Sequence, residues 1–297
     1  MSIITRENFT SNFHHDTYPV LQERLKNADL VNKVAFITGS GTGIGAATAL
    51  SFARAGATAV FLCGRTPSTL EETQQRISQE CPRAIVGKFV FDVSEGLDKA
   101  RQVFAEACKI AGRPLDILVN NAGYIASMPT TPSPDGGNWD FERYWRHFEV
   151  NVKGPLALAT AFLEHASDHP TVLNISSGAA VIDFVAGLSG YAASKMAALK
   201  MFSYLYHEQA QRGLKVFHVH PGVVATAMAK EGNSVCDDTA ELAADFCVWL
   251  NAPEAAFLQN RLLYVNWDVE ELLAKRETIV AQDLLTPGLR GWDSTAM

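Results

Sequence analysis

The sequence predicts an α/β fold with a doubly wound parallel sheet, and three observations carry that expectation. Short apolar runs alternate with helical stretches along most of the chain, the order that builds a parallel sheet covered by helices on both faces. The first run, Lys33-Val-Ala-Phe-Ile-Thr38, leads directly into Gly39-Ser40-Gly41-Thr42-Gly43-Ile44-Gly45 and then into helical composition from Ala46 to Ala55. The polar motifs follow the apolar runs, at the carboxyl ends of the expected strands, where ligands collect in such sheets.

Composition bounds the rest. The 297 residues are 47% hydrophobic and 19% charged, which suits a globular chain with a large core. A net charge of −7 argues against a generic nucleic-acid surface. The five cysteines are odd in number and form no close Cys-x-x-Cys pair, which points to reduced thiols in a cytoplasmic protein. No apolar run approaches the ~18 residues of a membrane span. The first residues include Arg6, Glu7 and Asp16 without an apolar core segment, unlike a secretory signal.

Each element has its own signal. Residues 1–31 read as a polar lead-in, and tandem His14-His15 lacks a nearby third ligand, so a packed or mobile extension is expected there rather than a metal site. Strand, glycine-rich turn and helix over 33–55 are the arrangement that sets a pyrophosphate against N–H groups at a helix N-terminus. The second strand, Thr58 to Cys63, ends in Cys63-Gly64-Arg65. An acidic residue that would bind a ribose 2′-hydroxyl is absent, and a guanidinium suited to a 2′-phosphate stands beside the gap, so NADP(H) is expected over NAD(H). The third strand spans 84–91 and ends in Asp92-Val93. A helix is expected over 95–111, and a fourth strand, Asp116 to Asn120, runs into Asn120-Asn121-Ala122-Gly123. Segment 124–138 is rich in Pro, Ser and Gly and reads as a loop, after which Asn138 or Asp140 opens a long helix.

That helix contains Asn151-Val-Lys-Gly154-Pro155. Proline has no N–H for the carbonyl four residues back, so the Asn151 carbonyl loses its helical partner. A simple kink, or a kink whose free carbonyl holds a water, both follow. A fifth strand, Thr171 to Ile175, ends in Ser176-Ser177-Gly178. A helix then carries Tyr191-Ala-Ala-Ser-Lys195. Four residues apart, tyrosine and lysine share one helix face, and an adjacent ammonium favours the phenolate over its usual pKa of ~10. Alone, the same spacing also fits a half-buried tyrosine beside a solvated lysine. A sixth strand, 214–220, carries His218 and His220 as packed or hydrogen-bonded core residues and ends in Pro221-Gly222. Residues 226–238 read as irregular, helix 239–250 and strand 261–265 close the sheet, and Asp268 with Glu271 predicts a capped helix.

Taken in order, Thr38-Gly-x-x-x-Gly-x-Gly45, Asn120-Asn-Ala-Gly123, Asn151, Ser177, Tyr191-x-x-x-Lys195 and Pro221-Gly222 resemble the short-chain dehydrogenase/reductase family over about residues 32–265. The lead-in and the Asn266-Trp267-Asp268 ending are similar to extended members of fungal biosynthetic pathways. The resemblance implies a single Rossmann domain, strand order 3-2-1-4-5-6-7, between an extension at 1–31 and a helix and tail at 266–297. It implies that Tyr191 moves a proton at the substrate oxygen and that Ser177 hydrogen-bonds that oxygen. Lys195 would lower the tyrosine pKa and hold the nicotinamide ribose, and Asn151 would hold a relay water. Residues 39–45, Asn121, Ala122 and Gly123 would line the dinucleotide, Asp92-Val93 would meet the adenine, and Pro221, Gly222, Val224 and Thr226 would touch the nicotinamide amide and phosphates.

Two departures stand out. The Ser177–Tyr191 interval is one residue longer than usual, so either the loop bulges or Ser176 is the working serine. The end of the seventh strand lacks the usual Asp-Gly-Gly. The function expected is NADP(H)-dependent carbonyl reduction or the reverse alcohol oxidation, by a homo-oligomer, dimer or tetramer, acting on a small molecule. Non-redox dehydration or cyclisation, and a nucleotide-binding regulator, are the alternatives. Loops 124–138, 178–190 and 226–240 should line the pocket, with Ile125, Met128, Phe184, Val185 and Met228 as an apolar wall.

Overall fold

Alternation along each strand determines how the molecule is layered. In β1 (Val34–Thr38), Ala35 and Ile37 enter one apolar layer while Val34 and Phe36 enter the other. In β2 (Ala59–Gly64), Val60 and Leu62 take the first side and Ala59, Phe61 and Cys63 the second. A strand buried on both faces requires this apolar run. With β3 (Ile85–Val90), β4 (Leu115–Asn120), β5 (Ala166–Ile175), β6 (Lys215–His220) and β7 (Leu262–Tyr264), they form a seven-stranded sheet in the order β3-β2-β1-β4-β5-β6-β7. Every pairing is parallel. The order is the one expected. The computed structural model describes residues 9–28, 30–132, 139–182, 185–226, 228–229 and 236–288.

Helices cover both faces. After α1 (Pro19–Arg24) come α2 (Gly43–Arg54), α3 (Pro67–Glu80) and α4 (Leu97–Ala111). Then follow α5 (Phe141–Phe148), α6 (Gly154–His165), α7 (Ser189–Glu208), α8 (Ala240–Trp249), α9 (Val269–Ala274) and α10 (Arg276–Ala281). Phe52 of α2, Phe246 and Trp249 of α8 and Leu21 of α1 fill one layer; Phe104 of α4, Phe162 of α6 and Phe202 of α7 fill the other. Among the described residues, no helix is long and apolar enough to cross a membrane.

Two elements differ from expectation. The fifth strand begins at Ala166, not Thr171, because Leu115 pairs with Ala166 across an irregularity that the polar Asp168-His169 disguises. The expected long helix is interrupted: a π turn over Glu149–Lys153 lies between α5 and α6, and the Gly154 N–H reaches the Glu149 carbonyl five residues back. Asp140 is the N-cap of α5, accepting from the Arg143 N–H; Asn138 lies outside the described residues. Asp268 does cap α9 through the Glu270 and Glu271 N–H groups, both at 3.0 Å. Glu271 does not return the bond. Its carboxylate accepts the Ser11 and Asn12 N–H groups at 2.7 and 2.8 Å, which bring its pKa down to about 2.

The lead-in therefore packs against the C-terminal residues, and α1 gives it a helix that the polar composition concealed. His14 reaches Asp268 at 2.9 Å and stacks on Tyr18, while His15 reaches Asp238 at 2.6 Å. The sheet margins are also covered or charged. Leu262 of β7 donates its N–H to the Leu285 carbonyl at 2.8 Å, and Leu285 takes φ +67 to present it. On the opposite margin, Lys88 of β3 pairs with Glu71.

Candidate active site

A cleft of about 630 Å³ opens along the carboxyl ends of the central strands. Its floor begins at the glycine-rich turn. Gly39 takes φ +67, and a Cβ on Gly45 would strike the Gly39 carbonyl. Only glycine allows strand and helix this close. Thr42 is the extended N-cap of the 12-residue α2, and its side chain makes no capping bond to the helix. Its first-turn N–H groups thus keep their preference for an anion. Gly41, Thr42, Gly43 and Ile44 line the cleft with them.

Arg65, Thr66 and Thr69 form the rim beyond β2, and Asp92 and Val93 face them. Burial opposes the Asp92 charge, but hydrogen bonds from Ser94 and the nearby Arg146 and Arg65 guanidinium groups outweigh it and lower its pKa. Asn121, Ala122 and Gly123 form the next wall. The Thr38 hydroxyl accepts the Asn121 and Ala122 N–H groups, both at 3.0 Å, and the Asn121 side chain donates to the Thr38 carbonyl at 2.8 Å.

Tyr191 and Lys195 close the far end, both buried on α7. The Lys195 Nζ donates to the Ile175 carbonyl at 2.8 Å and lies 5.7 Å from the centre of the Tyr191 ring. Burial raises the Tyr191 pKa, and a hydrogen bond with Ser177 works against that rise. Burial draws Lys195 down to about 8. A tyrosine pKa lowered by lysine was expected; here desolvation dominates and the phenol is held in its protonated form. Ser177 is the serine bonded to Tyr191, and its Oγ also accepts the Ala179 N–H at 3.2 Å. Ser176 lines the cleft, and its buried Oγ has no partner among the described residues.

Asn151 sits behind this end, in the π turn. Its Oδ1 accepts the Tyr124 N–H at 2.8 Å, and its Nδ2 donates to the Tyr124 carbonyl and the Ser194 hydroxyl, both at 2.9 Å. Ser194 in turn donates to the Tyr191 carbonyl at 2.8 Å. The Asn151 side chain therefore joins three elements, and Pro155, four residues on, has no N–H to give its main-chain carbonyl. A short chain dehydrogenase family model matches residues 33–236. The chain belongs to that family.

This short chain dehydrogenase is 33% identical over 284 residues to the short chain dehydrogenase mpl6 of Monascus purpureus, covering 93% of this chain and 94% of that one. It is 30% identical to andI of Emericella variicolor, covering 96% and 97% of the two chains. Among solved structures, a short chain dehydrogenase from Escherichia coli CFT073 complexed with NADPH superposes with a TM-score of 0.70 at 26% identity. That match covers 80% of this chain and 98% of the other.

Some expected site residues in this dehydrogenase do not face the cleft. Ser40 fastens β1 to β2 instead: its N–H donates to the Cys63 carbonyl at 3.0 Å, its hydroxyl to the Ile37 carbonyl at 2.9 Å, and it accepts the Cys63 N–H at 2.9 Å. From the segment after β6, Pro221 and Thr226 line the cleft. Gly222, at φ +77, packs on the Asp238 carboxylate, and Val224 is a buried bridge partner of Asp238. Ile125 and Met228 line the cleft, Met128 is buried, and Val185 lines a smaller cavity of about 410 Å³ next to Ala179 and Leu188. Phe184 lies outside the described residues.

Two positioning residues escaped the sequence reading. Ser194 stands three residues after Tyr191, a helical spacing that could have revealed it. His147 stands four before Asn151. Its Nε2 accepts the Ala126 N–H at 3.0 Å and its Nδ1 meets the Tyr144 carbonyl at 2.8 Å. A carbonyl can only accept and an N–H only donate, so the ring is the neutral Nδ1–H tautomer. Burial lowers its pKa accordingly.

Proposed function

We propose that the protein is an NADP(H)-dependent carbonyl reductase, with Tyr191 as the acid that delivers a proton to the substrate oxygen. The observation that carries this reading is one continuous cleft with the N-terminus of α2 and Arg65 at one end and Tyr191, Ser176 and Lys195 at the other. The donor set fits a phosphorylated dinucleotide. Helix N–H groups at 43–45 suit the pyrophosphate, and Arg65 suits a 2′-phosphate. The NADPH bound to the Escherichia coli relative supports the same choice.

Hydride transfer to the substrate carbon is the chemistry that a bound nicotinamide supplies. The residues of this chain handle the proton. A phenol is in its acid form at neutral pH, so Tyr191 has a proton to donate to a developing alkoxide in the reductive direction. Ser177 orients the phenol. Lys195, charged below about pH 8, offsets the negative charge left on Tyr191 after transfer. The Asn151 carbonyl would hold the water that returns a proton along Lys195. Reaction in the cytoplasm and assembly as a dimer or tetramer complete the proposal.

The test is a panel of ketones, aldehydes and quinones mixed with NADPH or NADH while nicotinamide absorbance is followed. Faster loss of absorbance with NADPH supports the assignment. Absence of binding to either nucleotide overturns it.

A further inference from the structure

The Asp238 carboxylate is fully buried, yet it is not in the cleft. It accepts donors from three parts of the chain. The Val223 N–H reaches Oδ2 at 2.5 Å, and the His15 Nδ1 and Asn266 Nδ2 reach Oδ1 at 2.6 and 2.8 Å. The Asp238 N–H returns to the Val223 carbonyl at 3.2 Å, so residues 223 and 238 clasp the two ends of the intervening segment. Gly222 is packed so tightly on this carboxylate that no larger residue fits. The lead-in is fixed to the same place by two further bonds: the Asn266 Nδ2 donates to the His14 carbonyl at 2.8 Å, and the Thr239 N–H donates to the His15 carbonyl at 2.9 Å.

A buried carboxylate is stable only with its lone pairs satisfied. Removing one donor leaves it free to turn, and that loosens its hold on Val223. Pro221 and Thr226, on either side of Val223, line the cleft, and Thr226 also abuts Gly43 of the glycine-rich turn.

We propose that Asp238, held by His15, is a positioning residue for the 221–226 segment, and that the lead-in thereby contributes to cofactor affinity without touching the cofactor. The proposal rests on the nicotinamide half of NADP(H) lying beside that segment, as in the function proposed above.

Three full-length proteins test it: wild type, His15→Ala and His15→Asn. The His15 side chain is about half exposed (48%), so both variants should fold. Asparagine carries an NH₂ donor near the position of Nδ1 and serves as the conservative rescue. Two quantities are read. One is hydrogen exchange of the peptide covering 221–226 in the protein without ligand. The other is affinity for NADPH and for adenosine 2′,5′-bisphosphate, which carries only the adenosine half.

His15→Ala should speed exchange in 221–226 while leaving β1 and β4 protected. It should weaken NADPH by about tenfold, the equivalent of one hydrogen bond to a charged group, and leave the bisphosphate unchanged. His15→Asn should restore both. Unchanged exchange and affinity in His15→Ala overturn the proposal. So does equal weakening of both nucleotides, or faster exchange throughout the sheet, since either marks a general structural role. If wild type binds neither nucleotide, the assigned function fails, while the exchange arm still decides whether His15 holds the segment.

Discussion

Tyr191→Phe removes one proton donor and almost no volume. Turnover should fall by about two to four orders of magnitude, the range of a lost general acid, with NADPH affinity largely intact. Turnover near wild type would remove Tyr191 from the chemistry. The paired serines give a finer test. Ser177 shares a hydrogen bond with Tyr191, whereas the buried Ser176 hydroxyl has no partner among the described residues. Ser177→Ala should therefore cost roughly a hundredfold or more in turnover. Ser176→Ala should cost little activity and should not lower the melting temperature, because it removes an unsatisfied buried hydroxyl. The opposite ranking would assign the substrate oxygen to Ser176. At this scale the sequence was informative about which side chains line the cleft, Arg65, Asp92, Tyr191 and Lys195 among them. Ser40 was misread because a residue inside a glycine-rich turn can also be spent on the backbone of the neighbouring strand, and spacing does not distinguish the two.

The element least legible in the sequence is the interrupted helix at 141–165. The missing N–H of Pro155 was legible, and so was a break near Asn151. The form of that break was not, because a π turn depends on how Gly154 packs on Val93 and how Asn151 grips Tyr124. Pro155→Ala restores a donor four residues beyond Asn151 and raises helix propensity. Pro155 is buried, so a small packing loss offsets that gain. The expected outcome is a melting temperature close to wild type together with slower turnover. A variant that keeps full turnover and the π turn would refute the role proposed for the Asn151 carbonyl. A fall in both stability and rate would reduce Pro155 to a packing residue.

Across the whole molecule, a buried polar chain couples three adjacent strands and exposes the fold to acid. Asn120 donates to Asn174 at 2.9 Å, the Asn174 amide meets His218 Nδ1 at 3.2 Å, and His218 Nε2 meets Asn260 at 3.4 Å. Burial lowers the His218 pKa to about 4. In the unfolded chain a histidine titrates near ~6.5. Below that pH the unfolded state binds the proton and the folded state does not, so stability is present above ~6.5 and is lost progressively as pH falls toward about 4. The loss can approach ~1.4 kcal/mol per pH unit, and His147 adds to it with the same sign. His218→Gln should flatten the melting-temperature profile over that interval; an unchanged slope would place the acid sensitivity elsewhere. A parallel sheet covered by helices could be anticipated from the alternating runs, and its strand order from the family resemblance. The docking of residues 9–28 on the C-terminal residues could not, because Glu271 with Ser11 and His15 with Asp238 are contacts between positions more than two hundred residues apart.

The contact between Leu285 and Leu262 also affects how the molecule meets its neighbours. An outermost strand offers its backbone as a template on which a foreign strand can align, the first step toward clumping and fibres. Here the strand is three residues long, and one of its amides is already occupied by a carbonyl that Leu285 presents from a left-handed backbone conformation. Local strain in the tail thus keeps that rim of the sheet from recruiting another chain, a safeguard that matters most where the protein is crowded.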